Sequence, residues 1–70
     1  MPSSVIRVFT YDASRHELLI AFQSGRRYVY QEVPEGTYTA MRAAFAKGEF
    51  FNSEIRGRFR YVRVDVQHDG

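Results

Sequence analysis

Ser24-Gly25, lodged between "LLIAFQ" (18 to 23) and "RRYVYQ" (26 to 31), constrains this chain more than any other feature. Two runs rich in β-branched and aromatic residues flank a glycine that accepts positive φ without a Cβ clash, which predicts a hairpin with a two-residue loop. Such a loop sets Gln23 against Arg26, Ala21 against Tyr28 and Leu19 against Tyr30; Phe22, Ile20 and Leu18 then face Arg27, Val29 and Gln31. The two tyrosines share a face with Leu19 and Ala21. Upstream, "SVIRVFTY" (4 to 11) is separated from "ELLIAFQ" (17 to 23) by the turn-like "DASR", so a first hairpin precedes this one. A four-residue loop there adds Ile6 and Val8 to the tyrosine face and Val5, Arg7 and Phe9 to the other, and a one-residue slip swaps the two sets. Three antiparallel strands form a meander, with both faces substantially apolar.

The period then changes. In "VPEGTYTAMRAAFAKG" Pro34 suits a first helical turn, Glu35 favours the positive end of the helix dipole, and Tyr38, Met41 and Phe45 recur at i, i+3 and i+7. A helix over 34–46 is predicted, covering one sheet face, with Lys47-Gly48 as its stop. Phe51 and Ile55, four residues apart before Gly57, predict a short second helix within "EFFNSEI" (49 to 55). "RFRYVRV" (58 to 64) alternates and reads either as a fourth strand or as an extended arm, and "DVQHDG" as a loose tail. The fold class is therefore α+β: a three-stranded antiparallel meander, open to a fourth strand, packed against one main helix and a short second one.

Seventy residues allow one small domain, ordered over about 3–65, because so short a chain buries only about 60% of its unfolded surface. There is no cysteine to staple it. Aromatic residues, 16% of the chain, must supply much of the core. No uninterrupted apolar run reads as a signal peptide or a membrane span, so a soluble, cytoplasmic protein is expected.

Net charge is only +2, yet the basic residues are unevenly placed. Residues 1 to 35 hold four arginines against four acids, whereas Arg56, Arg58, Arg60 and Arg63 stand together with no acid before Asp65. Nine of the ten basic residues are Arg, suited to bidentate recognition of phosphate. Aromatics interleave the run, a pattern of nucleic-acid grips, although charge on an edge strand also guards against sheet-to-sheet aggregation. Arg26 and Arg27 are candidates to extend a phosphate path. Tyr28 and Tyr30 either stack on unpaired bases or pack as half-buried strand residues over Leu19 and Ala21. Asn52 either reads a base edge or satisfies local backbone groups.

Catalysis has little footing. His16 at a hairpin end and His68 in the tail lack an orienting partner, Asp12 with His16 is too small a set for a metal, and no phosphate loop or nucleophile constellation is present. Neither a cofactor nor enzymatic activity is expected.

The ordered set Ser3, Ser4, Ile6, Tyr11, Asp12, Gly25, "YVY" (28 to 30), "VP" (33, 34), Tyr38, Gly48, "FN" (51, 52), "IRG" (55 to 57) and Tyr61 resembles the KTSC domain family. That family takes its name from a domain at the C-terminus of some lysyl-tRNA synthetases and also occurs as free-standing small bacterial proteins. The resemblance implies RNA binding, by analogy with the neighbouring tRNA-charging enzyme. The family's Y-x-Y falls on Tyr28 and Tyr30, and its late basic-aromatic motif on Arg56, Phe59 and Tyr61. Phe59 stands where a Tyr is expected, removing a hydroxyl, and Arg60 where Pro is frequent, adding a charge and a backbone donor.

Two functions of different classes compete. One is an RNA-binding module, with a tRNA-like partner, built on Arg26, Arg27, Tyr28, Tyr30, Asn52, Arg56, Arg58, Arg60, Tyr61 and Arg63. The other is a protein-interaction module whose surplus apolar face is buried in a homodimer or against another protein.

Overall fold

Gly25 sits at φ +98°, but the loop it closes has three residues, not two. The amide of Gly25 donates to the carbonyl of Phe22 at 2.9 Å, and the amide of Phe22 donates to the carbonyl of Arg26 at 2.9 Å. Gln23, Ser24 and Gly25 thus form a turn ending in a left-handed residue, the usual three-residue hairpin. The extra residue slips the expected register by one and turns over every side chain of the third strand. Leu18 faces Tyr30, Leu19 faces Val29, and Ile20 faces Tyr28. The tyrosines therefore stand beside Leu18 and Ile20, not beside Leu19 and Ala21 as the two-residue loop required.

The computed structural model describes residues 6–64; Ser3, Ser4 and the tail bearing His68 lie outside them. Strands β1 (Ile6–Asp12), β2 (Glu17–Phe22), β3 (Arg27–Tyr30) and β4 (Tyr61–Arg63) form one antiparallel sheet in the order β1-β2-β3-β4. Helices α1 (Glu35–Ala43) and α2 (Lys47–Phe50), the latter running into a π-helical turn (Phe51–Ile55), are inserted between β3 and β4. The α+β class stands, and the alternating run near the chain end supplies a fourth strand. The first hairpin also has four loop residues, but they are 13–16 and not "DASR": Asp12 still pairs, opposite Glu17, so Phe9 faces Ile20 and Tyr11 faces Leu18, which places Phe9 and Tyr11 on the tyrosine face. A bulge between Ile6 and Val8 moves Ile6 opposite Phe22, so Ile6 packs on the core while Val8 stays exposed.

Among the described residues, one sheet face is covered by the helices and the other is not. Leu18, Ile20 and Tyr30 meet Val33, Met41, Phe51 and Ile55 in the core, with Ile6, Phe9, Tyr11, Phe22 and Tyr28 packed around them. On the uncovered face a row of Thr10, Leu19, Val29 and Val62 crosses all four strands, beside Val8.

The helices differ from their expected bounds for a local reason. α1 ends at Ala43, and Ala44 is already extended, because Lys47 bends back to serve the helix end. Its ammonium donates to the carbonyls of Ala44, at 2.6 Å, and Arg42, at 3.2 Å. Lys47-Gly48 accordingly opens α2 instead of terminating a longer α1. Phe45, expected to face the core, lies in the connection and is fully exposed. Phe51 and Ile55 do point inward as their spacing implied, and Gly57 follows at φ +80°.

The link from β3 to α1 is pinned to the first hairpin. Val33, fully buried, donates its amide to the carbonyl of His16 at 2.9 Å and accepts the Tyr11 hydroxyl on its own carbonyl at 2.6 Å. Glu32 and His16, on either side of this junction, both have left-handed backbones, at φ 56° and 57°. A side chain in that region costs about 1–2 kcal/mol. We expect Glu32→Gly to stabilise the domain by up to about 1 kcal/mol, the relieved strain being partly offset by the freer unfolded chain. Chemical denaturation checks this, and an unchanged or lowered midpoint counts against it.

Burial pushes the phenol of Tyr30, only 3% exposed, up to about 12 from the ordinary 10.0. Burial, then the carboxylates of Glu35 and Asp12, also raises Tyr11. The folded state thus holds these protons more tightly than the unfolded chain; the Tyr30 contribution is complete below pH 10 and drains as pH climbs from 10 towards 12, and that of Tyr11 is lost in the same direction. Thermal melts across this window should show falling stability in the native protein and a shallower fall in Tyr30→Phe.

Candidate functional site

The register just described carries three tyrosines to one end of the covered face. Tyr61 lies opposite Tyr30 across β3 and β4, and the ring centroid of Tyr61 is 5.3 Å from that of Tyr30 and 5.1 Å from that of Tyr28. Tyr28 and Tyr30 meet edge-on at 6.3 Å. Phe22 packs edge-on against Tyr28, and Phe51 of the π turn packs against both Phe22 and Tyr30. These five rings wall a cleft of about 470 Å³, open to solvent between the Gln23–Gly25 hairpin and the turn at Arg56-Gly57.

Its charge has one sign. Arg26 and Arg56 line the cleft with Gln23, Ser24 and Gly57, and among the described residues no carboxylate does. Arg56 is delivered by the π turn, whose closing bond runs from the Arg56 amide to the Phe51 carbonyl at 2.8 Å. Its guanidinium makes a long 3.5 Å contact to the Asn52 side-chain oxygen. The phenols of Tyr61 and Tyr28 add to the burial that raises Tyr30, while Arg56 pulls the other way.

The sequence-derived candidates divide. Arg26, Tyr28, Tyr30, Arg56 and Tyr61 come together in the cleft. Tyr30 is nearly sealed and Tyr28 half-buried, so neither ring offers a free stacking face; Tyr61, 53% exposed, does. Asn52 sits beside Arg56 on the exposed side of the π turn. The guanidinium of Arg58 donates to the carbonyl of Ser53 at 3.1 Å, which holds it on the same turn. Arg60 and Arg63 are exposed on the segment bearing Tyr61. Arg27 faces the opposite side of the sheet from Tyr28, opposite Ala21, and does not belong to the cleft.

Reasoning from the sequence missed Phe22 and Phe51 as walls. The signal for Phe22 was the loop length, since a three-residue turn places it on the tyrosine side. Phe51 was recognised only as a core residue. Elsewhere, Asp12 accepts from Ser14 and Arg15 within its own turn, and hydrogen bonding to Ser14 leads in holding its carboxyl low. Among the described residues no three metal-ligating side chains cluster, and no helix is long and apolar enough to cross a membrane.

Comparison with known proteins supplies the relatives. A lysine–tRNA ligase of Nostoc punctiforme is 38% identical over 61 residues, which is 87% of this chain but 11% of the ligase's length. A small protein of Tsukamurella paurometabola is 37% identical over 62 residues, 89% of this chain and 92% of its own. The crystal structure of a KTSC domain protein from Yersinia pestis superposes with a TM-score of 0.83 at 32% identity, covering 91% of this chain and 93% of that one. The same antiparallel sheet with its inserted helices thus occurs in a protein of nearly equal length, and the KTSC domain model matches residues 2–59: this chain belongs to the KTSC domain family.

Proposed function

We propose that this domain is a small, non-catalytic RNA-binding module, working in the cytoplasm, whose contact surface is the tyrosine cleft and the arginine run leading from it. The observation that carries this reading is the cleft's composition: five aromatic walls and two arginines, with no acid among the described lining residues. Arg26 and Arg56 neutralise phosphates at the cleft, Arg58, Arg60 and Arg63 continue the path, and Asn52 positions Arg56. The exposed ring of Tyr61 receives an unpaired base, in place of the stacking first expected of Tyr28 and Tyr30, whose hydroxyls serve as hydrogen-bond partners in the wall. Relatives named lysine–tRNA ligase favour a structured, tRNA-like partner.

A second reading draws on the open sheet face. Val8 and Val62 are exposed there beside the half-buried Leu19 and Val29, a surface that a second copy of the chain or another protein could cover. Sedimentation at increasing concentration distinguishes the two: the RNA module stays at 8.2 kDa, whereas a homodimer doubles it.

For the RNA reading, the double variant Arg26→Ala, Arg56→Ala should weaken binding to single-stranded RNA by about tenfold or more. It should also flatten the dependence of log affinity on log salt by about 0.7 for each phosphate that is no longer neutralised. Both side chains are exposed, so the melting curve should hardly move. Equal affinity and equal salt slope in variant and native protein would defeat the assignment.

A further inference from the structure

The donor inventory of the cleft is larger than an internal RNA phosphate requires. A phosphodiester offers two free oxygens and about one negative charge, whereas a terminal phosphate monoester offers three and about −1.5 to −2 near neutral pH. Arg26 and Arg56, each with a fork of N–H donors, line the cleft together with Tyr28, Tyr30 and Tyr61, each of which carries one hydroxyl. Among the described residues, the long contact to Asn52 is what competes for the donors of Arg56 within its own turn. No carboxylate among the described lining residues opposes a dianion.

Size and shape agree. Sites for single small ligands run from about 300 to 1,000 Å³, and this one, at about 470 Å³, lies near the small end. Phe51 and Phe22 wall one side, and the tilted ring of Tyr61, at 34° to Tyr30 and 38° to Tyr28, leans over the other. Of the three tyrosines only Tyr61 presents an open aromatic face, so one base can stack and no continuous platform exists for a second. A donor-rich interior beside a single stacking ring suits one nucleotide whose phosphate enters the cleft and whose base lies on Tyr61.

Resting on the RNA-binding reading, we propose that the cleft is a site for a nucleotide bearing a terminal phosphate monoester, supplied by an RNA end or by a free nucleoside monophosphate. Arg56 and Arg26 hold the phosphate in bidentate contacts, and the three phenols donate to its remaining oxygens. Internal nucleotides bind through the exposed arginine run and gain nothing from the cleft.

The test is a set of fluorescence-anisotropy and calorimetric titrations at one fixed salt concentration. The ligands are a hexa-adenylate carrying a 5′-phosphate, the same oligomer with a 3′-phosphate, the oligomer with hydroxyls at both ends, and adenosine monophosphate. The phosphorylated end that fits should bind about tenfold tighter than the hydroxyl-ended oligomer. Arg56→Ala should abolish that difference, and Arg15→Ala, in the hairpin at the other end of β2, should retain it. If adenosine monophosphate matches the better oligomer, the proposal stands with the free nucleotide as the source; if it is weaker, the source is the RNA end. Equal binding of all three oligomers, or a difference that survives Arg56→Ala, overturns the terminal-phosphate site and leaves the RNA-binding reading intact. Absence of binding by every oligomer overturns both.

Discussion

The left-handed backbone at Gly25 is the constraint on which the rest of this molecule depends. Because the hairpin needs three loop residues to reach it, β3 pairs one step away from the shorter turn's register. That step decides whether Tyr28 and Tyr30 lie under the helices or on the open face. Their inward position gives the domain a core that its aliphatic residues alone would leave thin, and it fixes where Tyr61 must land when β4 joins the sheet.

Helix geometry then converts this core into a site. α1 covers the β1 side, where Tyr38 stacks on Tyr11 at 4.8 Å and meets Phe9 edge-on at 6.0 Å. The π turn covers the β3 side through Phe51 and Ile55. Its wider winding lets both residues reach the core and leaves Arg56 at the cleft mouth. Packing and electrostatics are joined here, for the aromatic groups that stabilise the domain also wall the cleft that the two arginines flank.

Element types were legible in the sequence because they follow from local chemistry: the β-branched and aromatic content of the strand runs around Ser24-Gly25, the helical spacing of Tyr38 and Met41, the pairing of Phe51 with Ile55. Register was not, because Ser24-Gly25 serves a two-residue and a three-residue loop equally well, and the choice is made by how well the resulting face packs. The end of α1 escaped for a similar reason: Phe45 fits the helical period, but Lys47 capping the preceding carbonyls lies outside any pattern of apolar spacing. For the candidate site, sequence clustering correctly joined Arg56 to Tyr61. It could not separate Arg26 from Arg27, whose alternation across β3 sends them to different sides.

The brevity of β4 has a consequence for how any occupant is held. It has three residues, all exposed, at the edge of the sheet, and such margins open at a fraction of the free energy that unfolds a whole domain. Since Tyr61 rides on it, a guest lodged against that ring also clamps the strand to Tyr28 and Tyr30. Binding at this ring would therefore be thermodynamically linked to strand docking: part of the intrinsic affinity would go into ordering a margin, and substitutions that only tighten the β3–β4 seam would strengthen binding without touching the guest.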